Sequence, residues 1–258
     1  MLVIVENSMK ECCVRGITIG QGKPKICLPI VGKDDHDILS QAQALKDKKF
    51  DVLELRIDFY QDILDDEKLV NILKQLREVI VQPILLTYRS LKEGGQIQLT
   101  DDQYKRLVEV GCASGYIDLI DIELMSGNLL VYELVEIAHK HHIKVVMSNH
   151  DFDKTPSNEE LCERLDKMEL FDADICKIAV MPNHKSDVIR LLEVTQLMDR
   201  KLSKPLITMS MGKLGAITRI AGETFGSALT FACNEKASAP GQIQIDDMNY
   251  ILEVLHHD

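Results

Sequence analysis

Charged side chains interrupt several apolar runs of this sequence, in places that core packing alone does not explain. In Ile175-Cys176-Lys177-Ile178-Ala179 a lysine stands between apolar residues, where burying its charge is costly. Burial and neighbouring cations favour the neutral amine, which is the nucleophilic form. Lys177 is therefore a candidate nucleophile. The alternative is a structural lysine that pairs with a buried carboxylate such as Glu54 or Asp121.

A histidine and an arginine add an acid–base group and an anion-binding group. His150 follows an apolar run and can transfer protons near neutral pH, although an isolated loop histidine is more often structural. In the segment 209–219, a glycine-containing turn precedes Arg219. Such a turn presents backbone N–H groups to an anion, and the guanidinium adds a two-point grip on a carboxylate. A glycine loop with a surface arginine is the simpler alternative.

Short apolar runs alternate with amphipathic stretches of helical spacing, so these residues belong to a repeating strand–helix pattern. Eight such units favour a (β/α)₈ barrel. A doubly wound open sheet is the main rival, but the chain has no glycine-rich phosphate-binding turn. The predicted strands are 26–31, 52–58, 84–88, 117–123, 144–150, 175–180, 206–210 and 228–232.

The sequence predicts one domain over residues 1–258, because no proline- or serine-rich linker divides it. The barrel is predicted over residues 26–258. Residues 1–25 hold a short apolar stretch followed by glycines, which predicts a hairpin that caps the bottom of the barrel. The small residues of the segment 236–242 follow the last strand and predict a lid. The alternative for that segment is a mobile loop with no role.

Strand alternation sends charged side chains into the barrel. In 52–58 the apolar side chains share the helix-facing side, so Glu54, Arg56 and Asp58 point inward. The same alternation sends Arg89 and Asp121 inward from neighbouring strands. Barrel interiors are ordinarily filled with Val, Ile and Leu, so these charges must pair with each other or serve a ligand. A structural ion-pair network explains part of the set, but the cations converge at the strand ends where barrel enzymes bind substrates.

Composition excludes several classes of protein. The 258 residues are 45% hydrophobic and 28% charged, which is enough apolar material for a core. No apolar run approaches the roughly 18 residues that cross a bilayer, and no secretory signal is visible. The net charge of −11 argues against nucleic-acid binding. A cytoplasmic protein is therefore predicted, with neither nucleic acid nor membrane as a partner.

The cysteines and histidines point to no metal site. The seven cysteines are an odd number without a Cys-x-x-Cys pair, which is typical of reduced thiols. The cluster His139, His141 and His142 precedes a predicted strand at the far end of the barrel and lacks acidic partners. No metal is assigned.

Several sequence blocks, taken together in chain order over about residues 24–255, resemble the type I 3-dehydroquinate dehydratase family. The blocks are specific as a set rather than singly. They are 54–58, 87–90, 93–95, 121–124, 147–152, 155–156, 177–182, 209–219, 221–227 and 237–242.

The resemblance implies a commonly dimeric (β/α)₈ barrel that dehydrates 3-dehydroquinate to 3-dehydroshikimate without a metal or organic cofactor. It implies that Lys177 forms an imine with the substrate ketone, and that the imine stabilises negative charge as the α proton leaves. His150 would take that proton and later protonate the departing hydroxyl, with Glu93 orienting or assisting it. The residues implied to bind the small carboxylate substrate are Arg219, which would hold the carboxylate, and Glu54, Arg56, Arg89, Ser238 and Gln242.

One residue departs from the family pattern, and two alternative functions remain open. Pro29 stands where some relatives carry a hydroxyl residue, and it has neither hydroxyl nor N–H to offer a ligand. A class I aldolase-like lyase is another imine-forming barrel, but Ser148-Asn149-His150 and the segment 237–242 argue against it. A non-catalytic binding barrel would be favoured by loss of Lys177 or His150, and the sequence retains both.

Overall fold

The chain folds into a closed barrel of parallel strands with helices on the outside. The computed structural model describes residues 10–235 and 238–256, and no helix in those ranges is long and apolar enough to cross a membrane. The strands are β1 (Cys12–Val14), β2 (Ile17–Ile19), β3 (Lys25–Ile30), β4 (Val52–Arg56), β5 (Ile84–Thr87), β6 (Leu119–Glu123), β7 (Lys144–Asp151), β8 (Ile175–Val180), β9 (Leu206–Ser210), β10 (Leu229–Cys233) and β11 (Ile243–Gln244). The helices are α1 (Asp35–Ala44), α2 (Asp66–Val79), α3 (Asp101–Ala113), α4 (Asn128–Lys140), α5 (Asn158–Leu170), α6 (Lys185–Lys201), α7 (Ile217–Ile220), α8 (Gly222–Phe225) and α9 (Ile245–Leu255).

The barrel consists of β3 to β10. From β3 to β9 each strand pairs in parallel with the next, and β10 pairs in parallel with β3. The barrel closes between β9 and the residues before β10, where the N–H of Ala228 donates to the carbonyl of Leu206 at 2.7 Å. The (β/α)₈ barrel predicted from the repeating pattern is confirmed. All the barrel strands therefore end at one mouth, where this fold places its active sites.

Three predicted strands are shorter in the structure, and the difference in β4 moves a charged residue out of its strand. β4 stops at Arg56, because the chain then turns into a 3₁₀ helix over Ile57–Phe59. The N–H of Tyr60 donates to the carbonyl of Ile57 at 3.0 Å and closes that turn. Asp58 consequently leaves the strand and pairs with the Arg56 guanidinium, at 2.8 Å from Nε.

The strand side chains divide into two apolar layers, as their alternation predicts. Leu53, Leu55 and Ile57 lie in the cluster that packs under the helices. The second cluster fills the barrel interior with residues such as Val52 and Ile175. Polar side chains take the inward positions closer to the mouth, so the interior is apolar at one end and charged at the other.

An N-terminal hairpin closes the apolar end of the barrel, as predicted. β1 and β2 pair antiparallel through a turn at Arg15 and Gly16, whose φ angles of 44° and 77° are both positive, as in a type I′ hairpin turn. Cys12, Val14 and Ile19 from the hairpin belong to the same apolar cluster as the barrel interior. The hairpin therefore covers the bottom and leaves the opposite mouth open to ligands.

Three aspartates tie neighbouring strands together at the bottom. Each aspartate precedes an even-numbered strand, and its side chain accepts the N–H of a residue at the start of the preceding strand. The same aspartate donates its own N–H to that residue's carbonyl. The side-chain contacts are Asp51 to Ile26 at 2.7 Å, Asp118 to Ile84 at 2.9 Å and Asp174 to Val145 at 2.9 Å.

Candidate active site

The C-terminal ends of the barrel strands surround a cavity with about 590 Å³ of empty space, part of which is open to solvent. Every site residue predicted from the sequence lines this cavity. They are Glu54, Arg56, Arg89, Glu93, His150, Lys177, Arg219, Ser238 and Gln242. The structure thus brings together residues that are spread along the chain from position 54 to position 242.

Lys177 lies on β8 and is only 3% exposed. Its Nζ is 3.4 Å from Oδ2 of Asp121 and 4.5 Å from the centre of the Phe231 ring. Asp121 is held more closely by other donors, since its Oδ1 accepts from Arg89 at 2.8 Å and from the Ser148 hydroxyl at 2.6 Å. Pairing of the lysine with a buried carboxylate is therefore present only as a long contact. The amine is buried, loosely held and directed at the cavity.

Arg89 is the centre of a buried network of carboxylates. Its Nη1 donates to Glu123 at 2.9 Å and to Ser148 at 3.0 Å, and its Nη2 donates to Asp121. Burial opposes its charge, but the carboxylates of Asp121 and Glu123 raise the pKa of Arg89 above its ordinary value. Although burial opposes ionisation of Asp121 as well, Arg89 and Lys177 hold its pKa below the usual range. This part of the site is a structural ion-pair network.

His150 and Glu93 form a hydrogen-bonded pair. Oε2 of Glu93 lies 2.9 Å from Nδ1 of His150 and also accepts the His150 backbone N–H at 2.9 Å. Burial and the nearby Glu123 carboxylate raise the pKa of Glu93 to about 8. Burial, followed by the charge of Arg89, Lys177 and Arg56, holds the pKa of His150 well below its usual value. A neutral imidazole results, in which Nε2 has no hydrogen-bond partner among the described residues.

The 3₁₀ helix Leu91–Glu93 delivers Glu93 to His150, and a glycine ends it. Gly94 has a φ of 88°, a conformation that side chains disfavour. A Cβ at this position would lie 2.6 Å from the Phe152 ring, which also lines the cavity. The glycine therefore allows Glu93 and Phe152 to approach the same site from two loops.

Arg219 on α7 is a buried cation without an anion. It is 1% exposed, and no carboxylate of the described residues lies within ion-pair distance. Its guanidinium donates to the carbonyls of Pro240 at 3.0 Å and Phe231 at 3.4 Å, while Nε has no partner. Burial lowers the pKa of Arg219 to about 10, so it remains charged at neutral pH. Buried charges are ordinarily paired, so this guanidinium suits an anionic ligand.

Glu54 and Arg56 of β4 form the opposite wall. Oε1 of Glu54 accepts the Thr87 hydroxyl at 2.9 Å. Arg56 makes a two-point contact with Asp58, with Nη2 at 3.0 Å from Oδ2. Asp58 itself does not line the cavity, so it supports Arg56 from behind.

The segment after β10 covers part of the mouth. The Ser238 N–H donates to Oε1 of Gln242 at 2.8 Å, and Nε2 of Gln242 donates to the Ser238 hydroxyl at 3.1 Å. The Pro240 carbonyl accepts both from Arg219 and from the N–H of Gly212, the latter at 3.1 Å. The loop is therefore docked on the arginine and on the glycine turn before it. Residues 236 and 237 of the predicted lid lie outside the described residues.

Other lining residues were not singled out from the sequence. Pro29 is buried in β3 beside Glu54, and it does not line this cavity. Side chains alternate between the two faces of a strand, so every second residue after Lys177 and along β9 and β10 points into the barrel. This rule could have identified the apolar lining residues of those strands. The additional lining residues are Gly94, Phe152, Ala179, Met209, Met211, Phe231 and Ala239.

Within the described ranges, no group of three or more His, Cys, Asp or Glu side chains is arranged to hold a metal ion. The fold and its mouth define a barrel enzyme, and the mouth gathers a buried amine, an imidazole–carboxylate pair and a cation that lacks an anion. The chain belongs to the type I 3-dehydroquinase family, which it matches over residues 26–258. It is accordingly a hydro-lyase.

Individual relatives agree with this membership. The 3-dehydroquinate dehydratase of Listeria welshimeri is 48% identical over 249 residues, covering 96% of this chain and 99% of that protein. Among solved structures, type I 3-dehydroquinate dehydratase from Clostridium difficile superposes with a TM-score of 0.93 at 44% identity, over 96% of this chain and 98% of that one. The 3-dehydroquinate dehydratase from Geobacillus kaustophilus gives a TM-score of 0.93 at 45% identity, over 96% and 97% of the two chains.

Proposed function

We propose that this enzyme removes water from 3-dehydroquinate to give 3-dehydroshikimate, through an imine formed on Lys177. The observation that carries the proposal is the placement of Lys177 and His150 in one cavity with Arg219, a buried cation that lacks an anion. The names of the relatives supply the substrate. The long contact between Lys177 and Asp121 supports the amine as nucleophile, because little has to break before it attacks.

Arg219 binds the substrate carboxylate in this account. A planar guanidinium pairs with a carboxylate through two parallel hydrogen bonds, and burial strengthens both. The unpartnered Nε is the natural second donor beside one Nη. The solved relative from Clostridium difficile is described with covalently modified comenic acid, itself a carboxylic acid.

The reaction then proceeds in balanced steps. The Lys177 amine adds to the ketone carbon and water leaves, which gives an imine. Nε2 of His150 removes a proton from the adjacent carbon, and the electron pair moves to the protonated imine nitrogen. The electrons return as the neighbouring C–O bond breaks, and His150 gives its proton to the departing hydroxyl. Hydrolysis of the imine releases the unsaturated ketone and regenerates the amine.

Glu93 orients His150 and stabilises the imidazolium formed in the second step. Its carboxylate accepts from Nδ1, so Nε2 stays free to receive the proton. Glu54, Arg56 and Arg89 surround the ring of the substrate from the strands. Ser238 and Gln242 close over it from the loop after β10.

Further features of the protein belong to the same proposal. We infer from the family resemblance that the enzyme is a homodimer. We also infer that it acts in the cytoplasm, because its seven cysteines are free thiols. The chain acts as a single domain with an N-terminal cap, of which residues 1–9 lie outside the described residues.

The proposal is tested by turnover of 3-dehydroquinate, followed as the absorbance rise of the conjugated product. Wild-type enzyme is expected to be active and the Lys177→Met variant inactive, because the methionine retains the length of the side chain and removes the amine. Lys74→Met changes an exposed lysine of α2, outside the cavity, and is expected to keep full activity. An inactive wild-type enzyme, or an active Lys177→Met variant, contradicts the proposal.

A further inference from the structure

A chain of hydrogen bonds connects the outer helix α5 to His150. Nη1 of Arg164 donates to Oδ1 of Asn149 at 2.6 Å. Nδ2 of Asn149 donates to Oε1 of Glu93 at 3.0 Å, and Oε2 of Glu93 contacts Nδ1 of His150. Arg164 and Asn149 do not line the cavity. Their side chains are linked to the reacting imidazole by hydrogen bonds that pass through Glu93.

The direction of this chain is set at its outer end. A guanidinium has only donors, so the Asn149 side chain must turn its oxygen toward Arg164. Its NH₂ group is then fixed toward Glu93, and a donor at this point favours the ionised carboxylate. Ionised Glu93 can only accept, which assigns the Nδ1 proton of His150. Arg164 thus sets the orientation of the Asn149 amide, and the amide in turn favours the form of Glu93 that accepts from His150.

Burial and several nearby groups compete in setting the pKa of Glu93, and the Asn149 donor opposes the effect of burial. Burial and the Glu123 carboxylate favour the protonated acid. The Arg89 guanidinium, the Asn149 amide and the His150 backbone N–H favour the carboxylate. At His150, the cations Arg89, Lys177 and Arg56 all oppose a second proton on the ring. These opposing effects leave the pKa of Glu93 at about 8, so the carboxylate that orients His150 predominates only above that pH.

We propose that Arg164 and Asn149 are positioning residues that favour the carboxylate form of Glu93 and so fix Nε2 of His150 as the proton-accepting nitrogen. This inference rests on the proposed function, since it assigns the two residues a part in the proton transfer. The acid–base machinery therefore extends through the barrel wall to a residue whose side chain is 14% exposed on the outer helix layer.

The direct test is Asn149→Asp, which keeps the size of the side chain and its contact with Arg164 but replaces the donor to Glu93 with an acceptor. Below the plateau of the pH profile, kcat should fall by about tenfold or more, because the acidic limb moves to higher pH by about one unit. Near the plateau at alkaline pH the activity should return. An unchanged pH profile overturns the inference.

Matched changes at position 164 separate positioning from folding. Arg164→Met removes the outer donor and should move the acidic limb in the same direction by a smaller amount, whereas Arg164→Lys should restore most of the wild-type profile. Glu160→Gln removes the carboxylate that pairs with Arg164 on the same helix and should leave the profile unchanged. A lower melting temperature with a wild-type profile in Arg164→Met contradicts the inference. The failure of the proposed function has a different signature, namely a wild-type enzyme without turnover at any pH.

Discussion

The bottom and the mouth of the barrel carry similar charged residues that have different roles. At the bottom, Asp118 pairs with Arg15 and Arg77 and also accepts a backbone N–H. At the mouth, Arg219 has only carbonyl and sulfur acceptors and retains an unpartnered Nε. Lys177 has one long contact. The satisfied charges at the bottom stabilise the fold, whereas Arg219 and Lys177 at the mouth are available to a ligand.

Position along the strands separates these roles better than residue type does. Asp174 shows the same pattern as Asp118, since its carboxylate accepts from Lys144 at 2.8 Å, contacts His139 at 3.0 Å and accepts a backbone N–H. His139 therefore belongs to the structural end. His150, at the other end, leaves one ring nitrogen free. A variant at the bottom should change stability alone, whereas a variant at the mouth should change activity.

Among variants that retain Lys177, the largest expected effect is that of His150→Ala at the mouth. Loss of the acid–base group should lower kcat by about 10²–10⁴-fold, because proton transfer to a positioned side chain contributes that much. The amine of Lys177 remains, so the variant should still form an imine with the substrate. Steady-state kinetics measures the first part and trapping of the imine the second. A variant with near wild-type kcat would remove His150 from the mechanism.

The next effect is that of Arg219→Met, which replaces the unpaired cation with an apolar side chain of similar reach. Loss of a charged, two-point contact with the carboxylate should lower kcat/KM by about a hundredfold or more. The free energy of unfolding should rise, because the buried charge has no anion to offset its desolvation. Kinetics and denaturant titration of the same preparation test both. A fall in stability would mean that Arg219 has a structural role.

The matched change at the bottom is Asp118→Asn. It weakens the contacts with Arg15 and Arg77 and leaves the barrel mouth untouched. We expect a loss of about 1–3 kcal/mol in the free energy of unfolding, because two cations lose their shared carboxylate. The kcat should stay within about twofold of wild type at a temperature where both proteins are folded. A large drop in kcat with intact stability would break the contrast between the two ends.

The smallest effect is a pH dependence of stability from Asp174. Burial opposes its ionisation, but its hydrogen bonds with Lys144, the Val145 N–H and His139 hold the pKa below the ordinary value of 3.8. Its contribution is therefore present above the unfolded-state pKa and is lost as the pH falls through the lower folded-state value. Wild type should lose on the order of 1 kcal/mol relative to Asp174→Asn over that range, because the group is part-exposed. Denaturant titrations from pH 6 to pH 2 measure it, and parallel curves for the two proteins would contradict it.

The alternation of strand side chains made much of this arrangement predictable. Glu54, Arg56 and Lys177 were placed inside the barrel because their neighbours are apolar and strands have a period of two. Glu93 came only from the family resemblance, because it lies on a loop helix where no periodicity applies. The contact of Arg164 with Asn149 joins a helix to a strand, and such pairs depend on packing that a single sequence does not encode as a local pattern. Arg219 was predicted as an anion clamp, but its lack of a carboxylate partner required the structure.

The central claim is that the amine of Lys177 becomes covalently attached to the substrate, and borohydride trapping followed by peptide mass mapping tests it most directly. Reduction in the presence of 3-dehydroquinate should leave one adduct per chain, with the mass of the bound ligand minus water plus two hydrogens, on the peptide that contains residue 177. The same treatment of Lys177→Met should leave no adduct. An adduct on another lysine, or none on an enzyme that turns over, would contradict the account.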